Sequence, residues 1–298
     1  MRIPNNLFSE RLTSQLQSLS SKQSKLQEQA ATGQRITNPS DDPQAVTRVL
    51  QIQSEKQQVS QFHRNNQHAT QISEVSFSAL DQIKNVAVRS SELATLGNGI
   101  TSPQAYQAYA SEANQQLEQA LQLSNARSGG DYLLGGTKTD APPFSATRDA
   151  AGKITAITYN GAAAGAEFKI AEGGTISPFT TGTENQQVAD FLNQLVSLRD
   201  GLQSANPATI QALRPNIESS EDHLLNTLSG IGAKQTRLAA ESTRNEARFS
   251  DLEKEVATTT DADLSQVVVK LTQAQTAYQA ALQSGAKILN TSLLDYLR

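Results

Sequence analysis

Residues 12–33 read LTSQLQSLSSKQSKLQEQAATG, and residues 264–288 read LSQVVVKLTQAQTAYQAALQSGAKI. In the first stretch Leu12, Leu16, Leu19, Gln23, Leu26, Ala30 and Gly33 recur at alternating spacings of four and three. In the second, Leu264, Val267, Leu271, Ala274, Tyr278, Ala281, Gly285 and Ile288 follow the same rule. A stripe repeating every 3.5 residues stays turned toward a partner helix, so each end of the chain carries a coiled-coil seam. A chain with a seam at each extremity and a different middle is built to bring its ends together. The same seams suit pairing with other copies of the chain. The pattern points to assembly rather than catalysis.

The 298 residues allow one to three domains and a sizeable core. A formal charge of -4, with no block of like charge, argues against a nucleic-acid binder, which needs a basic stripe to displace counterions. Without cysteine there are no disulfides and no thiolate-ligated zinc. No stretch approaches the roughly 18 apolar residues of a membrane helix. Met1 to Glu10 carries Arg2 but no apolar core, so no Sec-type signal is expected there.

Proline and glycine punctuate the chain. A first helix is expected from about Leu7 to Thr32, ended by Gly33. Asn38-Pro39-Ser40-Asp41-Asp42-Pro43 then reads as a turn and a helix start, with Ser40 or Asp41 as the cap and Pro43 in the first turn. A second helix, from about Gln44 to Leu96, spans on the order of 80 Å. Its stripe is weak around His63, Asn66 and Thr70 and strong at Ile72, Val75, Ala79, Val86, Leu93 and Leu96. A third helix after Pro103 shows Tyr106, Ala110, Ala113, Leu117 and Leu121. Between Gly129 and Gly182 lie ten of the seventeen glycines, with β-type alternation at Ile154, Ala156 and Thr158, then at Phe168 and Ile170. Asn160-Gly161 is a turn signal there. Helical pattern resumes near Asn185 with Val188, Phe191, Leu192, Leu195, Leu198 and Leu202. A further helix starts near Pro207 and passes Leu224, Leu225, Leu228 and Leu238 to about Val256. Asp261 or Asp263 caps the last one.

The expected fold is mainly α with a small β-rich insert (α+β): a long antiparallel helical bundle or coiled-coil rod formed by both ends, with a β head in the middle. The divisions are 1–42 for an N-terminal assembly helix and turn, 43–128 for helical rod, 129–184 for the insert, 185–257 for the returning rod and 258–298 for a C-terminal assembly helix.

Candidate chemistry is sparse. His63 and His68 are five apart, about 140° around a helix, and do not face one ligand. A polar position in a seam is the better account of them. His223 reads as surface. Gly230-Ile231-Gly232 lacks the third glycine and preceding strand of a dinucleotide site, so close helix contact or a kink explains it better. Ser128-Gly129-Gly130 and Gly135-Gly136 make no phosphate loop, because no Gly-Lys-Ser/Thr follows. Asp41-Asp42, between prolines, is a capping turn. No triad, metal set or acid pair emerges, so neither an enzyme nor a cofactor is expected.

The segment Thr37-Asn38-Pro39-Ser40-Asp41-Asp42-Pro43, after Ala31-Thr32-Gly33-Gln34-Arg35, resembles the flagellin superfamily. Its Pro-Ser-Asp-Asp-Pro form is closer to the hook–filament junction family (the hook-associated protein 3 family) than to flagellin itself, whose turn is usually lysine-containing and proline-poor. The opening Met1-Arg2-Ile3, the run Tyr132-Leu133-Leu134-Gly135-Gly136-Thr137-Lys138-Thr139-Asp140-Ala141-Pro142-Pro143-Phe144 and the ending Asn290-Thr291-Ser292-Leu293-Leu294-Asp295-Tyr296-Leu297 are similar to that family too. The resemblance implies a non-catalytic structural subunit of the bacterial flagellum, joining hook and filament. It implies self-association in a ring or tube through the terminal helices, and neighbours in another hook-associated protein and in flagellin. It further implies export through the flagellar type III channel to the cell exterior, with an export chaperone on the C-terminal helix beforehand, and no nucleic acid or membrane as partner. The assembly interface is then Leu12, Leu16, Leu19, Leu26, Ala30, Leu264, Val267, Leu271, Ala274, Tyr278, Ala281, Ile288, Leu293 and Leu294, and the structural turn is Pro39, Ser40, Asp41, Asp42 and Pro43. A short flagellin forming the filament is the alternative, and an unrelated helical interaction protein the second.

A narrow seam on one helix buries little, so nucleation cost and end fraying dominate in an isolated chain. Residues 1–34 and 264–298 are therefore expected to be mobile in the monomer and ordered in an assembly. Limited trypsin digestion of the free chain should cut first at Lys22, Lys25 or Lys270; full resistance there counts against this expectation.

Overall fold

The computed structural model describes the backbone of residues 5–99 and 102–296 and the side chains of 10–99 and 102–287. It is mainly helical with a small β-rich insert, as the hydrophobic periodicity predicts. The chain divides into a terminal unit, residues 1–57 with 249–298, and a central unit, residues 58–248. Two long helices, α2 (Pro43–Gly97) and α5 (Pro207–Thr260), contribute to both.

In the terminal unit α1 (Asn5–Thr32) pairs with α6 (Leu264–Tyr296). The pairing is antiparallel: Leu12 packs against Gly285 near one end, and the Gly33 carbonyl accepts from the Ala262 N–H at 2.8 Å near the other. Gly33, at φ +70°, ends α1 in the left-handed conformation that glycine adopts without strain. Ile52 of α2 and Leu252 of α5 are buried in this unit. Lys56 reaches Glu253 at 3.1 Å and lies over the Phe249 ring.

In the central unit α3 (Pro103–Ser124) and α4 (Gly182–Gln203) pack with α2 and α5 around one core. Tyr106, Ala110, Ala113, Leu117 and Leu121 of α3 are buried, as are Val188, Phe191, Leu192, Leu195, Leu198 and Leu202 of α4. Thr181 and Glu184 form a reciprocal capping box at the start of α4. On α2 a row at seven-residue spacing, Val59, Asn66, Ser73, Leu80, Ala87 and Ala94, is buried throughout. Ile72, Ala79, Val86 and Leu93 form a second buried row beside it. Two rows are needed because this part of α2 meets more than one helix. Leu96, expected in the stripe, is 46% exposed. On α5 the row is Ile217, Leu224, Ile231, Leu238 and Asn245, all buried, whereas Leu225 is exposed.

Helices α2 and α5 run on as expected, and one expectation about α5 fails. Helix α2 runs unbroken through His63 to Thr70. Helix α5 runs through Pro215 in its third turn, where the missing N–H leaves only the Gln211 carbonyl without its helical donor. Gly230 and Gly232 lie inside the continuous α5 without a close neighbour: a Cβ at either would meet nothing within 4 Å.

The described strands form three separate antiparallel hairpins: β1 (Arg127–Ser128) with β2 (Asp131–Tyr132), β3 (Phe144–Arg148) with β4 (Ile154–Tyr159), and β5 (Phe168–Ala171) with β6 (Gly174–Ile176). Asn160-Gly161 is not a hairpin turn, because it leads from β4 toward β5 and those strands do not pair. Nor is Ile154, Ala156 and Thr158 the buried row. Thr147 pairs with Ala156 and Arg148 with Ile154, so Thr155 is an inserted residue. That bulge resets the alternation and turns Ile154 and Ile157 inward together, leaving Ala156 and Thr158 exposed.

Phe191 is fully buried in the core, and Leu225 is 43% exposed. Phe191→Ala should destabilise the fold by about 3–5 kcal/mol. Leu225→Ala should change it by less than about 1 kcal/mol. Urea unfolding followed by far-UV circular dichroism measures both.

Candidate assembly interface

The seam positions of α1 behave as one row. Leu12, Leu16, Leu19, Gln23, Ala30 and Gly33 are partly covered and Leu26 is buried, while the residues between them are largely exposed. On α6, Val267, Ala274 and Gly285 are buried and Leu271, Tyr278 and Ala281 are partly covered. Leu26, Val267 and Ala274 form the centre of the contact, with Ala30, Ala262 and Leu271 around them. At Gly285 the helices come so close that a Cβ would lie 2.7 Å from a Leu12 methyl. The two seams therefore meet each other within one chain.

Leu264 does not join them. It is 50% exposed, and Val268, Val269 and Leu282 are also open. Leu264, Val268 and Leu282 lie on one side of α6, displaced from the seam. The 3.5-residue rule passed over Val268, Val269 and Leu282 because it follows a single stripe; the Val267-Val268-Val269 run was the available signal. Ile288, Leu293 and Leu294 lie outside the residues whose side chains are described.

The turn from α1 to α2 is held from two sides. Asn38 to Asp41 is a β-turn with Pro39 at its second position and the Asp41 N–H donating to the Asn38 carbonyl at 2.9 Å. The Asp41 carboxylate faces back into this turn, accepting from the Thr37 and Asn38 N–H groups, and pairs with Lys25 of α1 at 2.6 Å. It is therefore not the cap of α2. Asp42 is: its Oδ1 accepts from the Ala45 N–H at 3.0 Å, with Pro43 as the first helical residue. Arg35 ties the turn to the α5–α6 junction. Its N–H donates to the Thr260 carbonyl at 2.7 Å, its guanidinium to the Thr259 carbonyl at 2.9 Å, and it pairs with Asp42 at 3.3 Å. At that junction Asp263 caps α6, accepting from the N–H groups of Ser265 and Gln266.

These bonds lower both carboxyls. The hydrogen bond from Lys25, followed by the Asn38 N–H, holds Asp41 at about 2 against an ordinary 3.8. The Ala45 N–H, then Arg35, lowers Asp42. The histidines take no part. His63 meets Gln67, His68 lies edge-on to the Phe168 ring, and His223 is exposed. Among the described residues, no group of three or more His, Cys, Asp or Glu could hold a metal ion, and no helix is long and apolar enough to cross a membrane.

Residues 3–139 match the bacterial flagellin N-terminal helical region. Over its full length the chain is similar to hook-associated protein 3. The chain is 24% identical to flagellar hook-associated protein 3 of Salmonella typhimurium, with the whole of both chains covered. The crystal structure of Bacillus cereus FlgL covers 70% of this chain and 99% of its own, at 18% identity and a TM-score of 0.60. The flagellar junction protein FlgL from Legionella pneumophila covers 73% of this chain and 100% of its own, at 14% identity and a TM-score of 0.51. The resemblance read from the Pro-Ser-Asp-Asp-Pro turn and the chain ends is thereby borne out.

Asp41 is more acidic folded than its ordinary value of 3.8. Its contribution to stability is thus complete above that value and lost as the pH falls toward about 2. The melting temperature should drop across this window, and Asp41→Asn should flatten the drop. An unchanged slope in the variant would remove the turn from the acid response.

Proposed function

We propose that this chain is a structural subunit of the bacterial flagellum that forms the junction between hook and filament by self-association of its terminal helices. It runs no reaction and needs no cofactor. The observation that carries the reading is the division of labour on α6: one row is taken up by α1, and a second apolar row, Leu264, Val268 and Leu282, remains uncovered. Leu264 and Val268, one turn apart, make the open apolar patch that a neighbouring subunit would cover. The full-length similarity to a hook-associated protein 3 supports the same reading.

In this reading residues 1–42 and 258–298 are the assembly segments, 43–128 and 185–257 the helical body and 129–184 the insert. Leu12, Leu16, Leu19, Leu26, Ala30, Val267, Leu271, Ala274, Tyr278 and Ala281 hold each chain's α1 to its own α6. Leu264 serves the contact between subunits, and Ile288, Leu293 and Leu294 are proposed to extend that interface. Pro39 to Pro43 fixes the joint between α1 and α2. Neighbours are further copies, a second hook-associated protein and flagellin. Export runs through the flagellar type III channel, with a chaperone holding α6 beforehand.

Immunogold labelling of intact flagella tests the role. A single band at the hook–filament boundary is expected; label along the whole filament would make the chain a filament subunit instead. Val268→Glu and Leu282→Glu, on the open side of α6, should leave the circular dichroism spectrum unchanged and block incorporation, because a packed interface leaves the new charge unpaired. Normal incorporation of both variants would overturn the assignment of this face.

A further inference from the structure

In the central unit the paired helices α2 and α5 lose their apolar seam part-way along. The buried row on α2 changes from Val59 to Asn66 and Ser73 before returning to Leu80, and on α5 it reaches Asn245 after Leu238. The Oγ atoms of Ser73 and Ser76 are buried with no hydrogen-bond partner. A two-stranded helical seam draws its stability from apolar residues at these positions, and each polar one weakens it. Here the helices supply Ala69 and Leu238 to a small cluster whose remaining members, Ile170, Ile176 and the bordering Phe168, belong to the β5–β6 hairpin.

The hairpin is bound through its main chain as well. Asn65 Nδ2 donates to the Lys169 carbonyl at 2.8 Å, buried Asn245 Nδ2 to the Ile170 carbonyl at 3.1 Å, and Arg237 to the Thr175 carbonyl at 3.2 Å. Asn66, buried beside them, donates across the seam to the Leu238 carbonyl at 2.9 Å. His68 meets the Phe168 ring edge-on with centroids 5.3 Å apart, and Lys169 lies over Phe62. Helix donors thus reach strand carbonyls along a hairpin of two short strands. Such a hairpin is marginal in water by itself. The polar seam beneath it, stripped of Ile170 and Ile176, would keep Ala69 and Leu238 in this cluster, with Ile72 held alongside by Leu133 and Phe179. Neither partner stands without the other.

We infer that the β5–β6 hairpin is a clasp: its docking and the pairing of α2 with α5 over residues 62–76 and 234–245 open and close as one cooperative segment, while α3 and α4 stay folded. The device places a releasable section inside two otherwise continuous helices. Its key is Asn245, which sits in the seam and is bonded to the hairpin.

Hydrogen exchange on the full chain, read by mass spectrometry, tests this. Asn245→Ala leaves the buried Ile170 carbonyl unsatisfied, and amides of 168–176, 62–76 and 234–245 should then exchange together, roughly tenfold to a hundredfold faster. Amides of 110–121 and 188–202 should keep their rates. Asn65→Ala, at a half-buried site outside the seam row, is the second variant; it should accelerate the same three segments by a smaller factor and covers the case in which Asn245→Ala does not fold. Faster exchange in 168–176 alone would make the hairpin a passive attachment and overturn the proposal. Equal acceleration of all segments, α3 and α4 included, would overturn it as well, by showing that no separate segment exists.

Discussion

A helix with one narrow apolar stripe is stable only where another helix covers that stripe. Helices α1 and α6 each carry such a stripe, and within this chain they cover each other. The antiparallel pairing sets what happens around it. With Gly285 against Leu12 and Ala262 bonded to Gly33, α1 has to stop at Gly33 and the chain has to turn beside the start of α6. The turn is therefore built to be held rather than to flex: Asp41 faces back to Lys25, Asp42 forward into α2, and Arg35 across to the end of α5.

Pairing the ends within the chain changes what remains for other molecules. The stripe is covered within the chain, and apolar side chains beside it on α6 are what lies open. In the proposed function, folding and assembly use different sides of one helix. The apolar side chains left open on α6 present roughly 25 cal/mol per Å2 of surface to be covered on assembly.

The central unit follows another rule. Its four helices share a core of aliphatic and aromatic side chains, whereas the β-rich part is three separate hairpins that lean on helices for what a sheet would otherwise supply. Arg199, itself buried, donates to the Ile154 carbonyl at 2.7 Å, and Asn193 brackets Ile157 from both its N–H and its carbonyl. Small strands with open edges are fixed by side-chain donors when no further strand is available.

The amino-acid sequence by itself determined the helices, their limits at Gly33, Pro43, Pro103 and Pro207, the core rows of α3 and α4, and the family resemblance in the Pro39 to Pro43 turn. Each is local: a repeat of 3.5 or 3.6 residues, a cap, a residue that cannot continue a helix. Only the tertiary structure decided which carboxylate caps α2, because Asp41 and Asp42 are chemically alike and Lys25 and Arg35 choose between them. It alone revealed the bulge at Thr155 that turns Ile154 and Ile157 to one side, and the hairpin that covers the polar seam at Asn66 and Asn245. It also separated the α6 row spent on α1 from the row left open at Leu264, Val268 and Leu282. A periodicity says that a face is to be covered; what covers it depends on residues far away in the chain.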